Sequence, residues 1–242
     1  MVSVNPNMAE VLYHNLYRFL SRETKILMEE GGHATATVLE TLPSGMPAHA
    51  PHALRAKVLQ AHRQRVVNLF LPKFCCGERD YVIFVDADIV NGTHGVLNSL
   101  VSECACHPAG SVVAPAVILE KRDETSSKYR WYDTAGFIHD EQRAAILPPW
   151  FPTSAYNTMK PLGGGWDWPA GTAIELNGSV GCVYCVHAPV FLHGGFQGEF
   201  HPSFTEHWAL CQNGRAMGGR IIVRLDLRVE HAYLPKYGEA FH

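Results

Sequence analysis

The chain has 242 residues, 47% of them hydrophobic, with 20 basic and 23 acidic side chains and a formal net charge of −3. This length can bury the core of a single α/β domain spanning 1–242, and the near balance of charge lacks the positive excess of a nucleic-acid binder. No stretch reaches the about 18–20 apolar residues that cross a bilayer, and Asn5-Pro6-Asn7 interrupts the amino terminus before a signal-peptide core can form, so the chain reads as soluble.

In chain order, Val2 to Val4 reads as a short strand, and Val11, Leu12, Leu16, Phe19 and Leu20 recur at helical spacing up to about Lys25. Ala34 to Leu39, rich in Thr and Val, suggests a strand, and Pro43-Ser44-Gly45-Met46-Pro47 is a loop by its punctuation. From Ala53 to Phe70, Leu54, Val58, Leu59, Val66, Leu69 and Phe70 make an amphipathic stripe; Arg55, Lys57, Arg63 and Arg65 on the same helix read as a solvated face. Residues 81–90 then form an apolar strand that ends in Asp86-Ala87-Asp88.

Thr93 is placed to cap a helix carrying Val96, Leu97, Leu100 and Val101, and Ser111 to Leu119 reads as a second buried strand. The alternation of strand and helix predicts a mostly parallel sheet with helices on both faces. Between Glu120 and Leu176 the pattern is poorly periodic, as in a functional loop region, with Lys128-Tyr-Arg-Trp-Tyr-Asp133 and Leu162-Gly-Gly-Gly-Trp-Asp-Trp-Pro169 inside it. Trp166 and Trp168 offer flat apolar faces that suit stacking on a sugar ring, and equally suit ordinary loop packing. Ile221 to Val229 is a long final strand that terminates in Glu230-His231.

The chemistry is concentrated at strand ends. In extended chain, residues i and i+2 share a face, so Asp86 and Asp88 can converge on one hard cation or one sugar hydroxyl. The carboxyl end of a buried strand is also where open α/β sheets bind ligands. His231 is either a structural strand-end histidine or the further ligand that a cation held by Asp oxygens needs, since neutral imidazole suits a Mn-like ion. Glu206 has two readings of equal standing. Ser203-Phe204-Thr205-Glu206 has capping-box spacing, and a carboxylate at a helix amino terminus beside a cleft can also orient or deprotonate an acceptor hydroxyl. Seven cysteines form no disulfide framework, and Cys182-Val183-Tyr184-Cys185 has no second Cys-x-x-Cys to complete a zinc site.

These residues resemble a known family. A strand ending in Asp86-Ala-Asp88 is followed by Val113-Ala-Pro115, Tyr132-Asp133, Gly178-Ser-Val-Gly181, Thr205-Glu206-His207-Trp208-Ala209-Leu210 and a strand-end His231. The order is similar to the GT-A glycosyltransferases, most of all the α-mannosyltransferases of the fungal Golgi mannan polymerase. The resemblance runs from about Arg55 to His231 and has Asp86, Asp88, Glu206 and His231 as its specific anchors. It implies a GT-A-type, Rossmann-like fold and a retaining transfer of mannose from GDP-mannose, with Mn2+ or Mg2+, to a glycan or other hydroxyl acceptor. By the same implication Asp86 touches the donor ribose or the metal, Asp88 and His231 ligate the metal, and Glu206 faces the acceptor beside Tyr132, Asp133, Trp166 and Trp168. The family setting is the Golgi lumen; an unanchored chain would be cytoplasmic. Two alternatives stay open: a catalytically inactive GT-A-like subunit that binds sugar or nucleotide, and a haloacid-dehalogenase-type phosphatase with Asp86 as nucleophile and Asp88 as acid/base.

Overall fold

The structure, a computed structural model, describes residues 6–29, 52–74, 80–86, 88–120, 129–131, 168–176, 180–198 and 207–232. Helices α1 (Pro6–Glu29) and α2 (His52–Phe74) precede strands β1 (Tyr81–Val85) and β2 (Ile89–Gly92). Then come α3 (Val96–Ala105), β3 (Val112–Glu120), β4 (Tyr129–Trp131), β5 (Ala173–Leu176), β6 (Val183–His187), α4 (Pro189–Leu192), α5 (Trp208–Ala216) and β7 (Ile221–His231). The strands expected at Val2 to Val4 and Ala34 to Leu39, and the loop at 43–47, lie outside the described residues.

The fold is mixed α/β, with one seven-stranded sheet in the order β1-β6-β3-β7-β2, β4 adding to β3 and β5 to β7. The expectation of a mostly parallel sheet is corrected. Among the described strands β3 and β7 pair in parallel, whereas β1 with β6, β2 with β7, β3 with β4, β3 with β6 and β5 with β7 are antiparallel. The reason is connectivity: β1 passes to β2 with no crossover helix, and β6, from far downstream, inserts between β1 and β3. Strand direction nevertheless keeps one feature of a parallel sheet. Because β1 and β3 both oppose β6, and β7 follows β3, the carboxyl ends of β1, β3 and β7 point to one edge.

The sheet is also strongly curled. β1 and β2 stand at opposite ends of the strand order, yet only residues 86–88 separate them. Four Cα steps reach about 14 Å, whereas four strand spacings in a flat sheet would need about 19 Å. A break lies at Pro115, which has no N–H to give the ladder; between Pro115 and Ala116 the partner on β7 jumps from Arg224 to Arg228.

Side-chain alternation on β6 sorts the layers. Cys185 and His187 face α3, where the His187 Nε2 lies 3.0 Å from the Cys104 carbonyl oxygen. Tyr184 faces the other way, stacking on Phe84 and meeting His207 edge-on, with Phe84 in turn against Phe191 and Phe196. Packed elements therefore cover both faces at β6. Cys182, just before β6, and Cys185, within it, are both buried.

Thr93 is not the cap of α3. Its hydroxyl accepts the Arg228 N–H at 2.9 Å, and the first turn of α3 is instead served by Glu23 of α1, fully buried, which accepts from the Gly95 and Leu97 amides at 3.3 and 3.2 Å. Among the described residues, no helix is long and apolar enough to cross a membrane.

Candidate functional site

The site is built where β1 turns into β2. The Asp86 N–H donates to the Cys182 carbonyl at 2.8 Å, and the Ile89 N–H donates back to the Asp86 carbonyl at 3.1 Å, closing a tight turn over the Asp-x-Asp. Cys182 holds a left-handed backbone (φ 51°), uncommon outside glycine and found where the surroundings fix the chain. On the far side of the turn the Asp88 carbonyl accepts the Ala232 N–H at 2.7 Å, and Ile89 pairs with His231. The start of β2 is thus tied to the end of β7.

This register brings two site residues into contact. His231 Nε2 lies 2.8 Å from Asp88 Oδ2, with the imidazole 5% exposed and the carboxylate 30%. The other ring nitrogen, Nδ1, is 2.7 Å from the Ala232 carbonyl oxygen; a carbonyl can only accept, so Nδ1 carries a proton. Nε2 then faces a carboxylate and needs either a second proton or a shared cation. Burial works against the imidazolium, but the hydrogen bond and charge of Asp88, with the Ala232 carbonyl and the charge of Asp86, outweigh it, so His231 titrates above the ordinary histidine value.

Asp86 is engaged differently. Its Oδ1 accepts from Arg63 Nη2 at 2.8 Å, and the Arg63 side chain is 15% exposed. The expectation that Arg63 belongs to a solvated face is therefore corrected. Leu54 and Leu69, placed on the apolar stripe, are exposed (48% and 54%), while Gln60 and Val67 are buried. The inward face of α2 is partly polar because it clamps a peptide: Gln60 Nε2 donates to the Phe196 carbonyl at 2.6 Å, and the Phe196 N–H donates to Gln64 Oε1 at 2.7 Å. The i, i+3, i+4 run of Gln60, Arg63 and Gln64 is the signal that could have found this face.

Tyr132, Asp133, Trp166 and Glu206 lie outside the described residues. Trp168 is half-buried and packs against the hydrophobic core. It leads into β5, which pairs with the first half of β7, whereas His231 ends that strand.

The residues present fit a divalent cation on two counts. Asp88 Oδ1 is buried and has no hydrogen-bond partner among the described residues, which leaves a carboxylate oxygen to spend on a ligand. His231 is oriented through its far nitrogen by a backbone carbonyl, the usual way a ligating imidazole is held. The 2.8 Å separation is that of a charge-assisted hydrogen bond; neighbouring ligands of one octahedral ion with bonds of about 2.1 Å stand about 3 Å apart. Among the described residues no cluster of three or more His, Cys, Asp or Glu side chains gathers around one point, and Asp86 is engaged by Arg63. No protein-family model matches this chain, and no curated protein matches it.

Proposed function

We propose that the chain is a GT-A-type glycosyltransferase that uses Mn2+ or Mg2+ and transfers a sugar, best read as mannose from GDP-mannose with retention, to a glycan or other hydroxyl acceptor. The observation that carries this reading is the Asp88–His231 pair at the shared carboxyl edge of β1 and β7, with an unspent carboxylate oxygen. Asp88 and His231 would hold the cation. When bound, a divalent ion stabilises the negative charge that develops on a departing diphosphate. Asp86, two positions before Asp88, would orient the donor ribose or join the cation, and Arg63 would hold its carboxylate in place until then. The acceptor side, Glu206 with Tyr132, Asp133, Trp166 and Trp168, belongs to this reading through the resemblance.

A thermal-shift series with GDP, UDP, ADP, CDP and GDP-mannose, each with and without Mn2+, tests it. A ligand that binds only the folded state raises apparent stability by mass action. The expected result is a Mn2+-dependent response to GDP and GDP-mannose that Asp88→Asn abolishes; no response to any nucleotide overturns the reading. The Arg63–Asp86 ion pair favours one second reading, a binding subunit without turnover, because it already occupies a carboxylate the chemistry would use. Donor turnover with and without acceptor separates the two. The phosphatase alternative needs Asp86 as a free nucleophile and draws no support from that pair.

A further inference from the structure

Asn91-Gly92-Thr93 has the Asn-x-Thr pattern of an N-glycan acceptor, and its three residues answer differently when asked what the fold needs from them. Gly92 is favoured by space: a Cβ there would crowd the Arg228 carbonyl oxygen at 3.0 Å, the Phe19 ring at 3.1 Å and Val229 at 3.2 Å. Thr93 is required by bonding, since its hydroxyl takes the Arg228 N–H at 2.9 Å and its amide donates to the Arg228 carbonyl at 2.8 Å. Asn91 is not required in this way. Its side chain is exposed and, among the described residues, makes only long contacts, with Oδ1 3.5 Å from Arg22 Nη1 and Nδ2 3.4 Å from Glu230 Oε2. The register break between Ile89 and Asn91 puts Ile89 in the core and Asn91 outside, although the two stand two positions apart on one strand.

We infer that Asn91 is an acceptor site for an N-linked glycan. Asn91 Nδ2 forms a bond to the anomeric carbon of a lipid-linked oligosaccharide diphosphate. The anomeric C–O bond breaks, the lipid diphosphate leaves with the electron pair, and one amide proton goes to solvent. The modified amide keeps its carbonyl oxygen for Arg22 and one N–H for Glu230, so the folded contacts survive. Topology also leaves the pattern open at the right moment. The group that occupies the Thr93 hydroxyl, the Arg228 amide, lies 135 residues downstream, so a chain entering the lumen presents Asn91 and Thr93 before β7 exists. The occurrence of this glycan in the cell rests on the lumenal setting of the proposed transferase; the chemistry of the site does not.

The experiment therefore supplies its own route. The full chain is expressed behind a cleavable secretory leader in a eukaryotic host, and total lysate is compared before and after peptide-N-glycosidase, for wild type, Asn91→Gln, Thr93→Ser, Thr93→Ala and Asn177→Gln. The last variant removes the second pattern in the sequence, Asn177-Gly178-Ser179. Asn91→Gln and Thr93→Ala are each expected to lose one glycan step, while Thr93→Ser and Asn177→Gln keep the step at Asn91. A glycan count unchanged by Asn91→Gln, with or without Asn177 in place, overturns the inference. The nucleotide response of unglycosylated bacterial protein is measured separately, so either proposal can fail alone.

Discussion

Asp88 and His231 present a sign relation that a single titration can read. The His231 pKa is raised in the fold because the hydrogen bond and charge of Asp88 outweigh the burial that opposes it. Its stabilising effect is then complete below the unfolded value of about 6.5 and is lost as pH rises through the folded value. Metal-free protein should therefore lose stability on going from pH 6 towards 8 in urea titrations, and His231→Gln should flatten that slope. Cation affinity must run the other way. An imidazole ligand has to shed its Nε2 proton before it binds, so Mn2+ should bind more tightly over the same rise in pH. A metal-free stability that climbs across this window, or a His231→Gln profile identical to wild type, would count against the pairing as drawn. Arg63 adds a related lesson: a basic residue among other basic residues on an amphipathic helix reads as solvent-facing, while its partner, Asp86, lies 23 positions away and leaves no local trace.

At the scale of elements, α1 and α3 are joined by a cap that no local pattern contains. α3 begins at Val96 after Gly95, which has a left-handed backbone and offers no side-chain acceptor; Glu23, from 72 residues upstream, fills that role with one oxygen on Gly95 N–H and the other on Leu97 N–H. Arg22 holds the Glu23 carboxylate at 2.9 Å and also donates to the Gly92 carbonyl of β2 at 3.1 Å, so the same turn of α1 secures both the helix start and the open side of the strand. Glu23→Ala leaves two buried amides without acceptors and should cost about 1–3 kcal/mol. Equilibrium urea unfolding would show this as a lower midpoint at constant m-value; a loss below about 0.5 kcal/mol would mean that water or a neighbour replaces the cap. The helices themselves were legible, because apolar spacing along 11–25 and 53–70 falls within α1 and α2. What failed on α2 was the choice of face, since Gln60 and Gln64 turn inward to bond the Phe196 peptide and periodicity in apolar residues cannot register a polar clamp.

For the whole molecule, the error in sheet type and the meeting of Asp88 with His231 have one cause. Alternating helices and strands suggested crossover connections, and nothing local to Val183–His187 marks it as a strand that will run backwards between β1 and β3. Yet β6 reverses direction twice over, once against each neighbour, so β1 and β7 still end at the same edge, where antiparallel β2 starts beside His231. The same architecture predicts a gradient of rigidity. β3 and β6 are buried along their described side chains, whereas all five residues of β1 are only half-buried and its link to the rest of the edge is the Asp86–Asp88 turn. Amide exchange follows local opening, which is cheapest where few apolar contacts are lost. In the ligand-free protein, the Asp86 and Ile89 amides and the Ala232 amide on Asp88 should exchange well before those of Val113, Val117, Val223 and Val229. If Asp88 and His231 hold a cation that engages a nucleotide diphosphate, Mn2+ with GDP should slow the first set selectively, because the ligand ties the turn to the end of β7. Helix α5, remote in chain from that turn, should keep its rate, and Asp88→Asn should remove the effect without altering the slow set. Uniform slowing across all of these amides would indicate general stabilisation from binding elsewhere, and unchanged exchange at Asp86, Ile89 and Ala232 would take the nucleotide away from this edge.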